Sequence, residues 1–290
     1  MSLTPEALTR KIKDILRHSQ PLPDEAKAPI LHYRRTAADI WGSLGYVERL
    51  VAERDRYKSV AERHLGRLYG MALVSLVEAL ERLFKETAAE CVDCLADLVA
   101  DDRYNVFAIQ GMTLASHFGA GTLGKSLCES STWLDCEDIN KRFRKLLSNP
   151  FQEGGQSFDL FPKQNQQPED QRWRFEPMNI IWQIRHTSVH NVGVITQSDS
   201  VKLRLLAREP VTAPRMLTPT RADLGYLKQF LDDTAAVCNK RIGERLAELL
   251  TTIHTATPTL FTPQTRADRL GAIFRLPLVV STVTGAVPMD

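Results

Sequence analysis

The chain has 290 residues, 43% hydrophobic and 25% charged, with a formal net charge of +2. That balance fits a soluble globular protein with a real core, in one large domain or two smaller ones. It excludes a polycation that binds nucleic acid through bulk charge, so any such binding needs a local basic patch.

The N-terminus, from Leu3 through Lys13, has no uninterrupted apolar run and does not read as a secretory signal. No stretch approaches the ~20 apolar residues needed to cross a bilayer. Five cysteines, an odd number, suggest reduced thiols and a cytoplasmic protein with no membrane role.

Helical periodicity dominates the chain. Residues 37–63 read as a helix without internal proline. Residues 64–100 form a longer one, with apolar positions at Leu65, Leu68, Leu73, Leu76, Leu80 and Leu83 marking a single buried stripe. Gly66 and Gly70 weaken its start and suggest a join or a close helix contact. The tract 104–127 is Gly-rich and weaker. Residues 134–148 return to helix, with Asp135 or Asp138 as cap and a basic face of Lys141, Arg142, Arg144 and Lys145.

Pro150, Gly154, Gly155, Pro162 and the Gln-rich run to Pro168 make 150–172 a mobile loop. Pro177 suits the first turn of a helix over 177–190, which stops at Asn191-Val192-Gly193. Residues 200–208 read as a short strand or extended arm. A long helix runs from about Thr218 to Leu250, and the Thr- and Pro-rich last forty residues have an extended character. The expectation is a mainly α, antiparallel helical bundle with irregular insertions and a short extended segment after the 177–190 helix. Its boundaries are an N-terminal helical extension over 1–34, a helical domain over 35–250, and an extended tail over 251–290 packing on that domain.

Two stretches look like familiar motifs and are read otherwise. Cys91-Val92-Asp93-Cys94 has zinc-knuckle spacing but sits in an apolar helix, so buried free thiols are expected. Gly119 to Ser126 ends like a phosphate-binding loop. It is too short between Gly119 and Gly124, and no apolar strand precedes it, leaving nucleotide hydrolysis a minor alternative.

The most informative segment is Arg185-His186-Thr187-Ser188-Val189-His190-Asn191. An arginine fork matches phosphate oxygens and a histidine titrates near neutral pH, a pairing suited to phosphate chemistry. The plainer reading is a solvated helix end, where cations are favoured by the dipole. Residues five apart point about 140° apart on a regular helix. Arg185 and His190 therefore converge only through the length of Arg, an irregular helix end, or a second copy. His186 and His190 share a helix face and could bind a metal. Thr187 stands where a zinc protease needs Glu, so no metal or other cofactor is assigned.

With its Arg-x4-His spacing near a helix end, the His-Asn-x-Gly stop and the long apolar helix Met71–Lys85 upstream, the chain resembles the HEPN superfamily over roughly residues 35–250. These are helical-bundle domains of prokaryotic toxins, antiphage effectors and some eukaryotic ribonucleases. The resemblance implies metal-independent RNA cleavage with Arg185 and His190 as catalytic residues. It also implies a homodimer whose two motifs line one cleft, and an antitoxin or defence-system partner. His186 occupies the polar position that follows the motif Arg in the family. Members modified on tyrosine carry it two residues after the motif His, where this chain has Val192.

Supporting roles fall to His186, Asn191, Glu78 and Glu81. Either carboxylate could orient His190 or pair with Arg185, although Arg82 and Lys85 are the plainer partners on the same helix. Lys141, Arg142, Arg144, Lys145, Arg172 and Arg174 are the candidate RNA-binding surface. The alternatives are a catalytically inactive HEPN-like module for nucleotide, RNA or protein binding, and an adaptor bundle with no nucleic-acid role.

Overall fold

The computed structural model describes residues 13–14, 28–53, 58–99, 101–107, 122–129, 133–151, 158–163 and 174–281. These form eight α-helices, a short 3₁₀ helix over Asp101–Val106 and two strands of two residues each. The helices are α1 (Pro29–Ala52), α2 (Lys58–Leu95), α3 (Leu123–Glu129), α4 (Cys136–Leu146), α5 (Phe175–His190), α6 (Gln197–Ala207), α7 (Arg221–Ala256) and α8 (Pro263–Phe274). Among the described residues no helix is long and apolar enough to cross a membrane.

The centre of the fold is α2. Leu76, Leu80, Leu83, Phe84, Ala88, Cys91 and Leu95 recur every three or four residues and are all buried. Burial extends beyond one stripe because α1, α3, α5 and α7 all pack against this helix. The direction of packing follows from polar pairs at the helix ends. His32 near the start of α1 meets Glu86 late in α2, and Tyr69 early in α2 donates to Glu48 late in α1. Tyr33 likewise donates to Asp232 while Glu48 pairs with Arg221. Helix α1 is thus antiparallel to both α2 and α7.

Capping chemistry sets several boundaries. Asp135 accepts from the backbone N–H groups of Glu137 and Asp138 and starts α4. Thr220 with Asp223, and Thr196 with Asp199, form reciprocal capping boxes that start α7 and α6.

Several expectations are corrected. The first long helix begins at Pro29 and ends at Ala52, and α2 starts at Lys58, so the join falls earlier than residue 63. Helix α1 starts before the expected residue 37, and α7 runs past Leu250 to Ala256. Residues 197–207 are helical, because the Thr196–Asp199 box nucleates a helix where alternating apolar residues suggested a strand. The extended segment after α5 is instead Val194–Ile195, paired antiparallel with Arg215–Met216. In the supposed tail, Pro263 starts α8, whose Leu270 and Phe274 are buried in the main core.

The mobile-loop reading of 150–172 also fails over its middle. Leu160 and Phe161 are buried, Asn140 exchanges two 2.7 Å hydrogen bonds with the Phe161 backbone, and Arg241 donates to the Leu160 and Asp159 carbonyls. Residues 152–157 and 164–172 lie outside the described residues.

The glycines divide clearly. A side chain added at Gly66 or Gly70 would meet nothing within 4 Å, so neither marks a close contact. Gly124 does: a Cβ there would lie 2.0 Å from the Ala89 carbonyl oxygen. Its N–H donates to Asp93 at 2.8 Å. This glycine lets α3 approach α2, which accounts for it without a phosphate. All five cysteines are buried and free.

Candidate functional site

Helix α5 carries the Arg185–His190 segment. Pro177 falls in its first turn, where backbone N–H groups have no intrahelical partner and proline is tolerated. Met178 and Trp182 are buried, and Arg185 continues the same i, i+4, i+7 line. That register explains the first feature of the site. Arg185 is turned toward the core, its side chain only 13% exposed, and its Nη2 donates to Glu78 Oε1 on α2 at 2.9 Å. Its Nε is buried and has no partner among the described residues.

His186 and His190 occupy the neighbouring face and are exposed. Their rings lie 4.5 Å apart between centroids, tilted by 46°. Burial of the ring, the adjacent His190 and the Lys202 ammonium together hold the His186 pKa below its ordinary value, against the opposing pull of Asp199. No hydrogen bond or ion pair joins Arg185 to His190 among the described residues. In one chain the two expected catalytic residues therefore lie on different faces, with His186 between them.

The helix ends on backbone hydrogen bonds. The Thr187 carbonyl accepts from both Asn191 and Gly193, and the chain turns through positive φ at Val192 (52°) and Gly193 (79°). Such a conformation is unusual for a β-branched residue. Val192 is also 82% exposed, and Val189 is 41% exposed, so apolar side chains flank His190 in the open.

Below this turn sits a residue that the sequence reading did not single out. Asp199 is buried and accepts from Gln183 Nε2, Asn191 Nδ2, and both the N–H and hydroxyl of Thr196. Burial pushes its pKa up, but the Thr196 backbone and hydroxyl and the Asn191 amide pull it further down, leaving it below the ordinary carboxylate value. Asp199 thus ties α5 to α6 and fixes the loop after His190. The signal was the Thr-x-x-Asp pattern at 196–199, which the strand reading of the following residues obscured.

The remaining candidates separate. Glu78 meets the motif helix through Arg185. Glu81 turns away: it is buried, pairs with Lys85 at 3.0 Å and accepts from the Trp133 backbone N–H at 3.4 Å. Asn191 is engaged by Asp199 rather than by either histidine.

The residues of the basic set differ in their surroundings. Arg142 lies over the Trp133 ring, Arg144 forms an ion pair with Asp159, and Arg174 is buried. Lys141 and Arg144 are exposed and Lys145 half-buried. Arg172 lies outside the described residues.

A cleft of about 360 Å³ between α1 and α2 also escaped the sequence reading. His32, Arg82 and Glu86 line it together with Glu78. His32 Nδ1 lies 3.0 Å from both Glu86 oxygens, and Arg82 donates to the same carboxylate at 2.7 Å. Two histidine-bearing sites thus meet at Glu78. No single motif joins His32 to Glu86, which lie 54 positions apart in the chain.

Among the described residues no three His, Cys, Asp or Glu side chains cluster to hold a metal. No family model, curated protein or solved structure matches this chain.

Proposed function

We propose that this protein is a metal-independent endoribonuclease of HEPN type, in which Arg185 and His190 act on the scissile phosphate. The observation that carries the reading is Arg185 itself. It is held in place by Glu78 and stands one residue from an exposed pair of imidazoles.

The chemistry follows from these groups. One imidazole takes the proton of a ribose 2′-OH as that oxygen bonds to the adjacent phosphorus. Another gives a proton to the departing 5′-oxygen, leaving a 2′,3′-cyclic phosphate and a 5′-OH end. The guanidinium stabilises the added negative charge on the phosphorane oxygens. A neutral imidazole cannot be both base and acid in one step, and Arg185 and His190 of one chain lie on different faces. The functional unit in this reading is therefore a homodimer that brings two copies of His190 to one RNA strand. Exposed Val189 and Val192 beside His190 support a second copy covering this face. The resemblance places such an enzyme in a toxin or antiphage setting, with an antitoxin or defence partner.

One observation favours a second reading, an inactive HEPN-like binding module. The Arg185–Glu78 ion pair gives Arg185 a structural use that requires no chemistry. Two variants separate the readings. His190→Ala and Arg185→Met should each lower RNA cleavage by roughly 100-fold or more. Mixing the two variants should not restore cleavage, because each mixed dimer holds only one His190 and the proposed reaction uses two. Unchanged cleavage in both variants, or no cleavage by the unmodified protein while it still binds RNA, rules out the ribonuclease reading.

A further inference from the structure

The His186–His190 pair has a use that proton transfer does not absorb. Both residues are exposed, one helical turn apart on one face of α5, with ring centroids 4.5 Å apart. Neither ring has a hydrogen-bond partner among the described residues, so no ring nitrogen is already engaged. The backbone beneath them is regular helix, closed by the hydrogen bond from Asn191 N–H to the Thr187 carbonyl and fixed by Asp199 through Asn191. The pair is thus presented on a rigid support. Imidazoles at i and i+4 on such a support place two nitrogens where a single ion reaches both.

We propose that His186 and His190 chelate one divalent transition-metal ion at the end of α5. Two imidazoles select a borderline ion, in the order Cu²⁺ above Ni²⁺ and Zn²⁺, and do not suit Mg²⁺ or Ca²⁺, which require oxygen ligands. Water completes the coordination shell, because the Asp199 carboxylate is committed to Gln183, Asn191 and Thr196. The surrounding charges are mixed. Lys202 and, more weakly, Arg185 in its ion pair with Glu78 oppose the ion, and Asp199 favours it.

A metal held there occupies a lone pair of His190, so metal binding and the proton transfer proposed above exclude one another. The metal site itself does not depend on the ribonuclease reading. It is also distinct from the buried cysteines, which are not presented to solvent.

The test is Cu²⁺ titration of the purified full-length protein, free of affinity tags, followed by electron paramagnetic resonance and calorimetry without RNA. The expected result is one ion per chain with nitrogen hyperfine structure from two imidazoles, displaced by Ni²⁺ in excess and not by Mg²⁺. That two-nitrogen signal should vanish in His186→Ala and in His190→Ala. Both substitutions are at exposed positions, and unchanged circular dichroism confirms folding. A double variant that binds Cu²⁺ with the same signal and stoichiometry as the unmodified protein overturns the proposal. So does an unmodified protein that shows no two-nitrogen signal.

Discussion

Removing Glu78 should damage the protein more than removing the charge of Arg185. At 2.9 Å the pair has a gross attraction of about 6 kcal/mol at an effective dielectric near 20. Desolvation of the guanidinium and the half-open position of Glu78 reduce the net to about 2 kcal/mol. The two partners are not equivalent, because the Arg185 side chain is 13% exposed and that of Glu78 46%. Glu78→Ala strands a nearly buried cation whose Nε already lacks a partner, so the full 2 kcal/mol is lost. Arg185→Met keeps most of the buried aliphatic contacts and leaves a carboxylate that water solvates, so it should change stability by about 0.5 kcal/mol or less. In a calorimetric melt the first variant should lose roughly 3–4 °C and the second about 1 °C or less. If Arg185→Met destabilises as much as Glu78→Ala, Arg185 is a structural tie and the argument for its chemical role collapses.

Other consequences are equally direct. Asp199 has a pKa below its unfolded value, so it contributes stability that is present above about pH 4 and lost as pH falls through its folded value. Asp199→Asn should lower the melting temperature at pH 7 and flatten its fall between pH 5 and pH 2.5; an unchanged acid profile would contradict the assignment. Gly124→Ala should destabilise by about 3 kcal/mol or more, because the new methyl meets the Ala89 backbone. Gly70→Ala on open helix surface should stabilise by about 0.5–1 kcal/mol, and equal effects in urea melts would refute this contrast. Burial pushes the Cys94 thiol up to about 11 and Cys238 up to about 12, so neither should react with Ellman's reagent at pH 8 until the protein is unfolded. Rapid labelling of either in the native protein would show that it is not packed as described.

The parts of the fold written in short-range chemistry were legible. The apolar period of α2, the Asp135 cap and the proline at the start of α5 are each visible within a few residues of sequence. The helix α6 was hidden because Val201, Leu203 and Leu205 mimic a strand, while the deciding capping box lies just upstream. The packed middle of the 150–172 segment was hidden because its partners, Asn140 and Arg241, are distant in sequence and polar.

The candidate site divides in the same way. Arg185, His186 and His190 stand out by residue type and spacing. Glu78 could be suspected, but only the register of Met178, Trp182 and Arg185 against α2 determines that it, and not Glu81, reaches the arginine. Charge patterning along α4 does not disclose that Arg144 pairs with Asp159 or that Arg142 lies over Trp133. The His32–Glu86–Arg82 cluster could not be read at all, since it exists only once α1 lies antiparallel to α2.

The central claim concerns the bond that is broken and the oxygen that attacks it. Purified protein should be incubated with RNA in excess EDTA, beside the same RNA carrying 2′-O-methyl groups, and the new ends identified by mass spectrometry. The account predicts 2′,3′-cyclic phosphate and 5′-OH ends from the RNA, and no cleavage where the 2′-oxygen is methylated. Cleavage of the methylated strand, or product ends bearing a 5′-phosphate, would contradict it.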